Sequence, residues 1–153
     1  SEDYVLLRSM AMKTSARNQF LGRISVIKEG AVNDEVALTL PTGQVITAIV
    51  THESTQSLGL KVSVQAFALI KSSSIILMTD DQGVRTSARN RLTGQIERIQ
   101  IGAVNSEVVI ALGGGLTVAA VVTNESVNSL SLKEGQTASA LFKASSVILG
   151  VPA

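Results

Sequence analysis

The segment Thr14-Ser15-Ala16-Arg17-Asn18 occurs twice, returning as Thr86-Ser87-Ala88-Arg89-Asn90 at an offset of 72 positions. The same offset holds without a gap to the end of the chain. Gly30-Ala31-Val32-Asn33 returns as Gly102-Ala103-Val104-Asn105, and Thr51, Glu53 and Ser54 return as Thr123, Glu125 and Ser126. Lys71 returns as Lys143, and Ile76-Leu77 as Ile148-Leu149. Between Thr14–Thr79 and Thr86–Val151, 33 of 66 positions are identical. Self-similarity of that strength makes the chain two copies of one small module. A lead segment, 1–13, precedes the first module, 14–79; a link, 80–85, separates it from the second, 86–153.

Each module reads as strands. Val36, Leu38 and Leu40 alternate with polar or small residues, which is the period of a half-buried strand, and the second copy places Val108, Ile110 and Leu112 on the corresponding face. Pro41-Thr42-Gly43 and Gly113-Gly114-Gly115 are turn signals leading into Gln44–Val50 and Leu116–Val122. Phe20–Ile27 makes an earlier strand, and Val64–Ile70 and Ser74–Leu77 two later ones. His52–Leu58 reads as one or two helical turns, with Thr51 as N-cap and Glu53 in the first turn. Five short strands with a small helix after the third fit an all-β fold: two tandem five-stranded Greek-key barrels of the OB type. A module of about 66 residues is small for a lone core. Apolar strand residues such as Val45, Ile46 and Ile49 read as exposed and point to association.

Composition removes many chemistries. With 45% hydrophobic and 16% charged residues the chain can bury a core. It has no Cys and one His, His52, which excludes disulfide scaffolds, thiolate zinc sites and histidine-rich metal sites. His52 is Asn124 in the second copy, so a twinned histidine base is absent and His52 reads as a surface residue. A net charge of +1 and 3% aromatics argue against a nucleic-acid surface on the barrels. The apolar runs are strand-sized, too short to span a bilayer. The acidic start, Ser1-Glu2-Asp3, is unlike a secretory leader, so a cytoplasmic setting is expected. Ser1 is not an initiator residue, which fits a processed or partial chain.

The polar residues kept in both copies are rich in hydroxyls and cations. Ser, Thr, Arg and Lys in twinned loops suit a tetrahedral oxyanion, with hydroxyls donating and cations balancing charge. Each has a bland alternative. Thr51 and Ser54 can serve as helix caps. Asn33 and Asn105 suit a turn. Glu35 and Glu107 suit structural bonds, and Lys61 and Lys133 read as solvated charges. Gly113–Gly115 lacks the Lys-Ser/Thr ending of a phosphate loop.

The Thr-Ser-Ala-Arg-Asn, Gly-Ala-Val-Asn-x-Glu-Val and Val-Thr-x-Glu-Ser segments and the Lys-(Ser/Ala)-Ser-Ser-(Ile/Val)-Ile-Leu ending occur in this order, twice. Together they resemble the molybdate-binding Mop module, from Thr14 to Val151. Tandem Mop pairs form the sensor region of molybdate-responsive transcriptional regulators, and also stand alone as storage proteins called molbindins. The lead segment from Val5 to Lys13 resembles the linker before the regulator's pair. The resemblance implies binding of molybdate or tungstate at module and subunit interfaces, with no catalysis and no other cofactor or metal. It assigns Ser15, Ala16, Arg17, Thr51, Ser54, Lys71 and Ser72 as ligand-binding, with Ser87, Ala88, Arg89, Thr123, Ser126, Lys143 and Ala144 as their counterparts. In this assignment Arg17 and Lys71 balance charge. Ser15, Thr51 and Ser54 donate hydroxyls, and Ala16 and Ser72 donate backbone N–H groups. One site can mix the two sets. It further implies a homo-oligomer, dimeric for a sensor and trimeric for a molbindin. DNA would be met only through a domain outside this sequence, and membranes not at all. Ser72 against Ala144, and Ser63 against Gly135, set the halves apart.

Overall fold

A computed structural model describes residues 18–80 and 83–152. The lead segment 1–13, the predicted ligands Ser15, Ala16 and Arg17, and part of the link lie outside the described residues.

The first repeat opens with a long strand, β1 (Asn18–Lys28), followed by β2 (Asn33–Thr39) and β3 (Val45–Thr51). Helix α1 (His52–Ser57) comes next, then β4 (Gln65–Ile70), a 3-10 turn at Ser72–Ser74 and β5 (Ile76–Met78). The second repeat runs through β6 (Asn90–Ile101), β7 (Asn105–Gly113), β8 (Leu116–Thr123) and α2 (Asn124–Ser129). It ends with β9 (Thr137–Phe142), a 3-10 turn at Ala144–Ser146 and β10 (Ile148–Gly150).

The strands form two antiparallel five-stranded sheets, ordered β10-β4-β1-β2-β3 and β5-β9-β6-β7-β8. In each sheet the first strand of the repeat serves two neighbours. The start of β1 pairs with β4 and its end with β2, and the register slips between Ile24 and Val26. The same slip lies between Ile96 and Arg98 of β6. An extra residue there bends the strand, as a barrel of the OB type requires.

The fifth strands are exchanged. β10, from the second repeat, pairs with β4, and β5, from the first, pairs with β9. One compact unit therefore takes in the described residues up to Ile70 together with those from Lys143 on; the other is Lys71–Phe142. The boundaries of the sequence repeats and of the compact units differ by one 3-10 turn and one strand.

Alternation along the strands builds each core. Val36, Leu38, Leu40, Ile46, Ala48, Ala66 and Ala68 are buried in the first unit, with Phe20, Ile70 and the exchanged Leu149. The second buries Val108, Ile110, Val118, Ala120, Ala138 and Ala140 with Leu92, Phe142 and the exchanged Leu77. Each core holds one buried Phe, but Phe20 corresponds to Leu92, and Phe142 to Ile70, so the bulk changes strand while the pair's composition stays large and apolar. Fully burying such a side chain contributes about 1.5–3 kcal/mol.

Three expectations need correction. Ile46 is a fully buried core residue, while Val45 and Ile49 are exposed as expected. Leu112 is half-buried, because the register slips between Ala111 and Gly113 as the chain enters the triple-glycine turn. There Gly113, Gly114 and Gly115 all have positive φ, a conformation that only glycine adopts without strain. His52 is not a free surface residue, as described below.

Candidate oxyanion site

Thr51 is the N-cap of α1, with extended backbone; its Oγ1 accepts from the Ser54 N–H at 3.1 Å and donates to Ser54 Oγ at 2.7 Å. Thr123 does the same for α2, accepting from the Ser126 N–H at 3.0 Å with the two hydroxyl oxygens 2.8 Å apart. The capping role expected for these pairs is thus present. It leaves each hydroxyl pair exposed and with unused hydrogen-bonding capacity, since a hydroxyl oxygen has two acceptor positions and one donor.

The exchange of fifth strands decides which turn meets which cap. The Ser72–Ser74 turn packs on β8, the strand that ends at Thr123, and the Ala144–Ser146 turn packs on β3, which ends at Thr51. Lys71 and Ser72 therefore share a unit with Thr123 and Ser126, while Lys143 and Ala144 share one with Thr51 and Ser54. The fold mixes the two sequence-predicted sets.

In the second unit these elements border a cavity of about 370 Å³. Ser73, Asn105, Thr123 and Ser126 supply its polar lining, and Ile75, Val121 and Leu130 are among its apolar walls. Ser73 and Asn105 are additions to the predicted set; both stood out only as polar residues kept in the two copies. Asn105 also holds the turn before β7, its carbonyl accepting from the Gly102 N–H at 3.0 Å. The turn places Lys71 at its start, its carbonyl accepting from the Ser74 N–H at 3.0 Å; Lys143 does the same for Ser146 at 2.9 Å. Both lysines are exposed, and neither has a carboxylate partner among the described residues. Ser72 is half-buried and Ala144 buried.

Ser87, Ala88 and Arg89 stand before β6 and are not part of the cavity lining. Ser87 and Arg89 are exposed, Arg89 is engaged in an interaction, and the Ala88 N–H donates to Thr86 Oγ1 at 3.2 Å. The Asn that closes the same motif is structural. Asn18 and Asn90 are buried, and Asn18 Nδ2 donates to the Ile70 carbonyl at 3.2 Å.

His52 proved to be tied to a buried carboxylate. Its Nδ1 lies 3.0 Å from Asp34 Oδ2, and its Nε2 lies 3.1 Å from the Gln56 amide nitrogen. The amide donates to Nε2, so Nδ1 carries the proton and donates to Asp34. Asp34 Oδ1 also accepts from the Gly30 N–H at 3.0 Å. The hydrogen bond from the Thr55 hydroxyl, outweighing desolvation and joined by Gly30 and His52, holds the Asp34 carboxyl below its ordinary range. Asp34 and Gln56 thus engage both ring nitrogens of His52. Glu107 forms the expected structural pair, with Arg98 at 3.1 Å. No cluster of metal-ligating side chains occurs among the described residues, and no helix there is long and apolar enough to cross a membrane.

The twofold internal design is matched from outside. A family model described as the TOBE domain fits the chain twice, over residues 14–77 and 86–149. The chain belongs to the TOBE domain family. Its paired TOBE domains are 47% identical over 146 residues to the molybdenum transport protein ModE of Herbaspirillum seropedicae, covering 95% of this chain and 54% of that protein. They are 42% identical over 146 residues to the molybdenum-pterin-binding protein MopA of Rhodobacter capsulatus, covering 95% and 55%. The DNA-binding transcriptional dual regulator ModE of Escherichia coli K12 is 36% identical over 141 residues, covering 91% and 52%. The tandem TOBE chain thus spans about half the length of these relatives. A crystal structure of the cytoplasmic molybdate-binding protein ModG, with molybdate bound, superposes with a TM-score of 0.89 at 52% identity, covering 92% of this chain and 100% of that one.

Proposed function

We propose that this tandem TOBE chain binds molybdate or tungstate reversibly, without transforming it, as the ligand-sensing region of a molybdate-dependent transcriptional regulator. The observation that carries the reading is the likeness over 92% of the chain to a structure holding molybdate. The chain's own residues support it. Thr123, Ser126 and Ser73 gather hydroxyls at one cavity, with Lys71 at the start of the turn that supplies Ser73. In the first unit the turn that follows Lys143 packs likewise on β3, the strand that ends at the capping pair Thr51 and Ser54. Hydroxyl donors, with a lysine that has no carboxylate partner among the described residues, match a small dianion, and no nucleophile–base pair accompanies them among those residues. Selectivity over sulfate follows from size, because the metal oxyanions carry the same charge on longer bonds. Anion binding that favours one arrangement of subunits would then shift the affinity of a DNA-binding domain outside this sequence. In this reading Ser15, Ala16, Arg17 and their counterparts Ser87, Ala88 and Arg89 complete sites at interfaces of a homo-oligomer.

A second reading, a stand-alone molybdate store, is favoured by one observation: the ModG chain is matched over its whole length. Isothermal titration of the purified chain with molybdate, with sulfate as competitor, tests the shared core of both. Binding that sulfate does not displace supports it; absence of heat at millimolar anion rejects it. The intact mass of the native polypeptide separates the two settings.

A further inference from the structure

The exchanged strands pose a matching problem. β5 and β10 end alike, as Ile76-Leu77-Met78 and Ile148-Leu149-Gly150. The strands that receive them are alike as well. Ile148 faces Leu69 and Leu149 faces Ala68; Ile76 faces Leu141 and Leu77 faces Ala140. Two of the three rungs are therefore chemically the same in both sheets and cannot tell the strands apart.

Only the third rung differs. Gly150 faces Phe67, and Met78 faces Ser139. Gly150 does not have positive φ, so its backbone would accept any residue. What a side chain there would meet is the Phe67 ring: a Cβ would lie 2.5 Å from two of its carbons, so the half-buried ring would have to give way. The rung continues one strand further. Leu21 is opposite Phe67, whereas Thr93 is opposite Ser139, with their hydroxyl oxygens 2.7 Å apart. One row is thus large, large and absent; the other is small, small and large. Close packing penalises both crowding and voids, so each row accepts one fifth strand better than the other.

We propose that this third rung is a size code: the edge of β4 is an acceptor surface for a strand bearing glycine opposite Phe67, and the edge of β9 for one bearing methionine opposite Ser139. The code assigns each fifth strand to the sheet of the opposite repeat. Without exchange, Met78 would meet Phe67, and Gly150 would leave a gap beside Ser139 and Thr93.

The test uses the full chain, which has no natural cysteine. Leu69→Cys is combined with Ile148→Cys to report the exchanged pairing, or with Ile76→Cys to report the unexchanged one; Ile148 and Ile76 are both well exposed. Mild oxidation and peptide mapping should find the 69–148 bridge and little of 69–76. Met78→Gly with Gly150→Met reverses the code and should shift the bridge toward 69–76. Unchanged dominance of 69–148 in a folded reversed variant would overturn the proposal. A thermal series covers the case in which that variant fails to fold. Gly150→Met should lower the melting midpoint by about 5 °C or more, and Phe67→Ser on top of it should recover at least half. No recovery would equally overturn the size code.

Discussion

Asp34 and His52, eighteen residues apart in sequence, meet at 3.0 Å, and in the second repeat Ser106 and Asn124 meet at the corresponding positions. The third member of the cluster changes with them: Thr55 is Val127 in the second copy. Asn124 then turns its amide to the Gly102 carbonyl at 2.9 Å, in the region where Asp34 accepts from Gly30. Both solutions pin the strand-to-helix junction that ends in the cap residue.

The pairs should therefore be coupled. Asp34→Ser alone strands the His52 and Gly30 donors, and His52→Asn alone removes a donor from a buried carboxylate. The double variant recreates the pairing used in the second unit. Its loss of melting temperature should be clearly smaller than the sum of the single losses. A double-mutant cycle by calorimetry reads this directly; strict additivity would mean that the two residues act separately.

Acid sensitivity follows from the same carboxyl. Asp34 is held below its ordinary value of 3.8 in the folded chain. The folded state then binds its proton less readily than the unfolded state. The resulting stabilisation is present above the unfolded value and is lost as pH falls through the folded one. Melting temperatures measured downward from pH 5 should fall less steeply in Asp34→Ser/His52→Asn than in the parent.

Two serines occupy left-handed backbone. Ser63 has φ 77° and Ser131 φ 50°, and each stands where the other repeat has glycine, Gly135 at 85° and Gly59 at 65°. Relief of the Cβ penalty exceeds the added freedom of the unfolded chain, so Ser63→Gly and Ser131→Gly should each stabilise by about 0.5–1 kcal/mol. Gly59→Ser and Gly135→Ser should do the reverse. Denaturant titration measures all four.

Anion affinity and stability should separate between Lys71 and Thr123. Lys71 is exposed and has no described carboxylate partner, so Lys71→Met should leave the melting midpoint nearly unchanged. Molybdate affinity should still drop about tenfold or more, the worth of one charged hydrogen bond. Thr123→Ala should lower both, because it also removes a helix cap worth about 1 kcal/mol. Equal affinity of Lys71→Met and the parent would remove the lysine from the site.

The strands, the hairpins and the capped helices were legible because each depends on local pattern. Alternation at Val36, Leu38 and Leu40, glycine at Gly43 with φ 91°, and threonine before each helix all act within a few residues. Three features were not legible. Ile46 looked exposed because alternation gives a strand two faces without saying which is covered. His52 looked free because its partner is a buried acid on β2, eighteen residues away in sequence. The fifth-strand exchange was hidden because Ile-Leu faces Ala-Leu in either pairing, so strand character reveals nothing about the partner. The candidate site inherited that ambiguity: its residue types could be read along the chain, but the grouping of Lys71 with Thr123 rather than with Thr51 depends on the exchange.

That exchange also limits how such a chain can be shortened or can arise. A single repeat expressed by itself would carry a vacant edge on its fourth strand and a fifth strand with nowhere native to go. Two such halves would satisfy both needs by trading strands, so separation of the repeats should create a dimer rather than two independent barrels. Duplication followed by fusion would leave those trades in place while freeing the copies to diverge rung by rung. On that view the covalent link between the repeats is the newer bond, and the strand trade the older one.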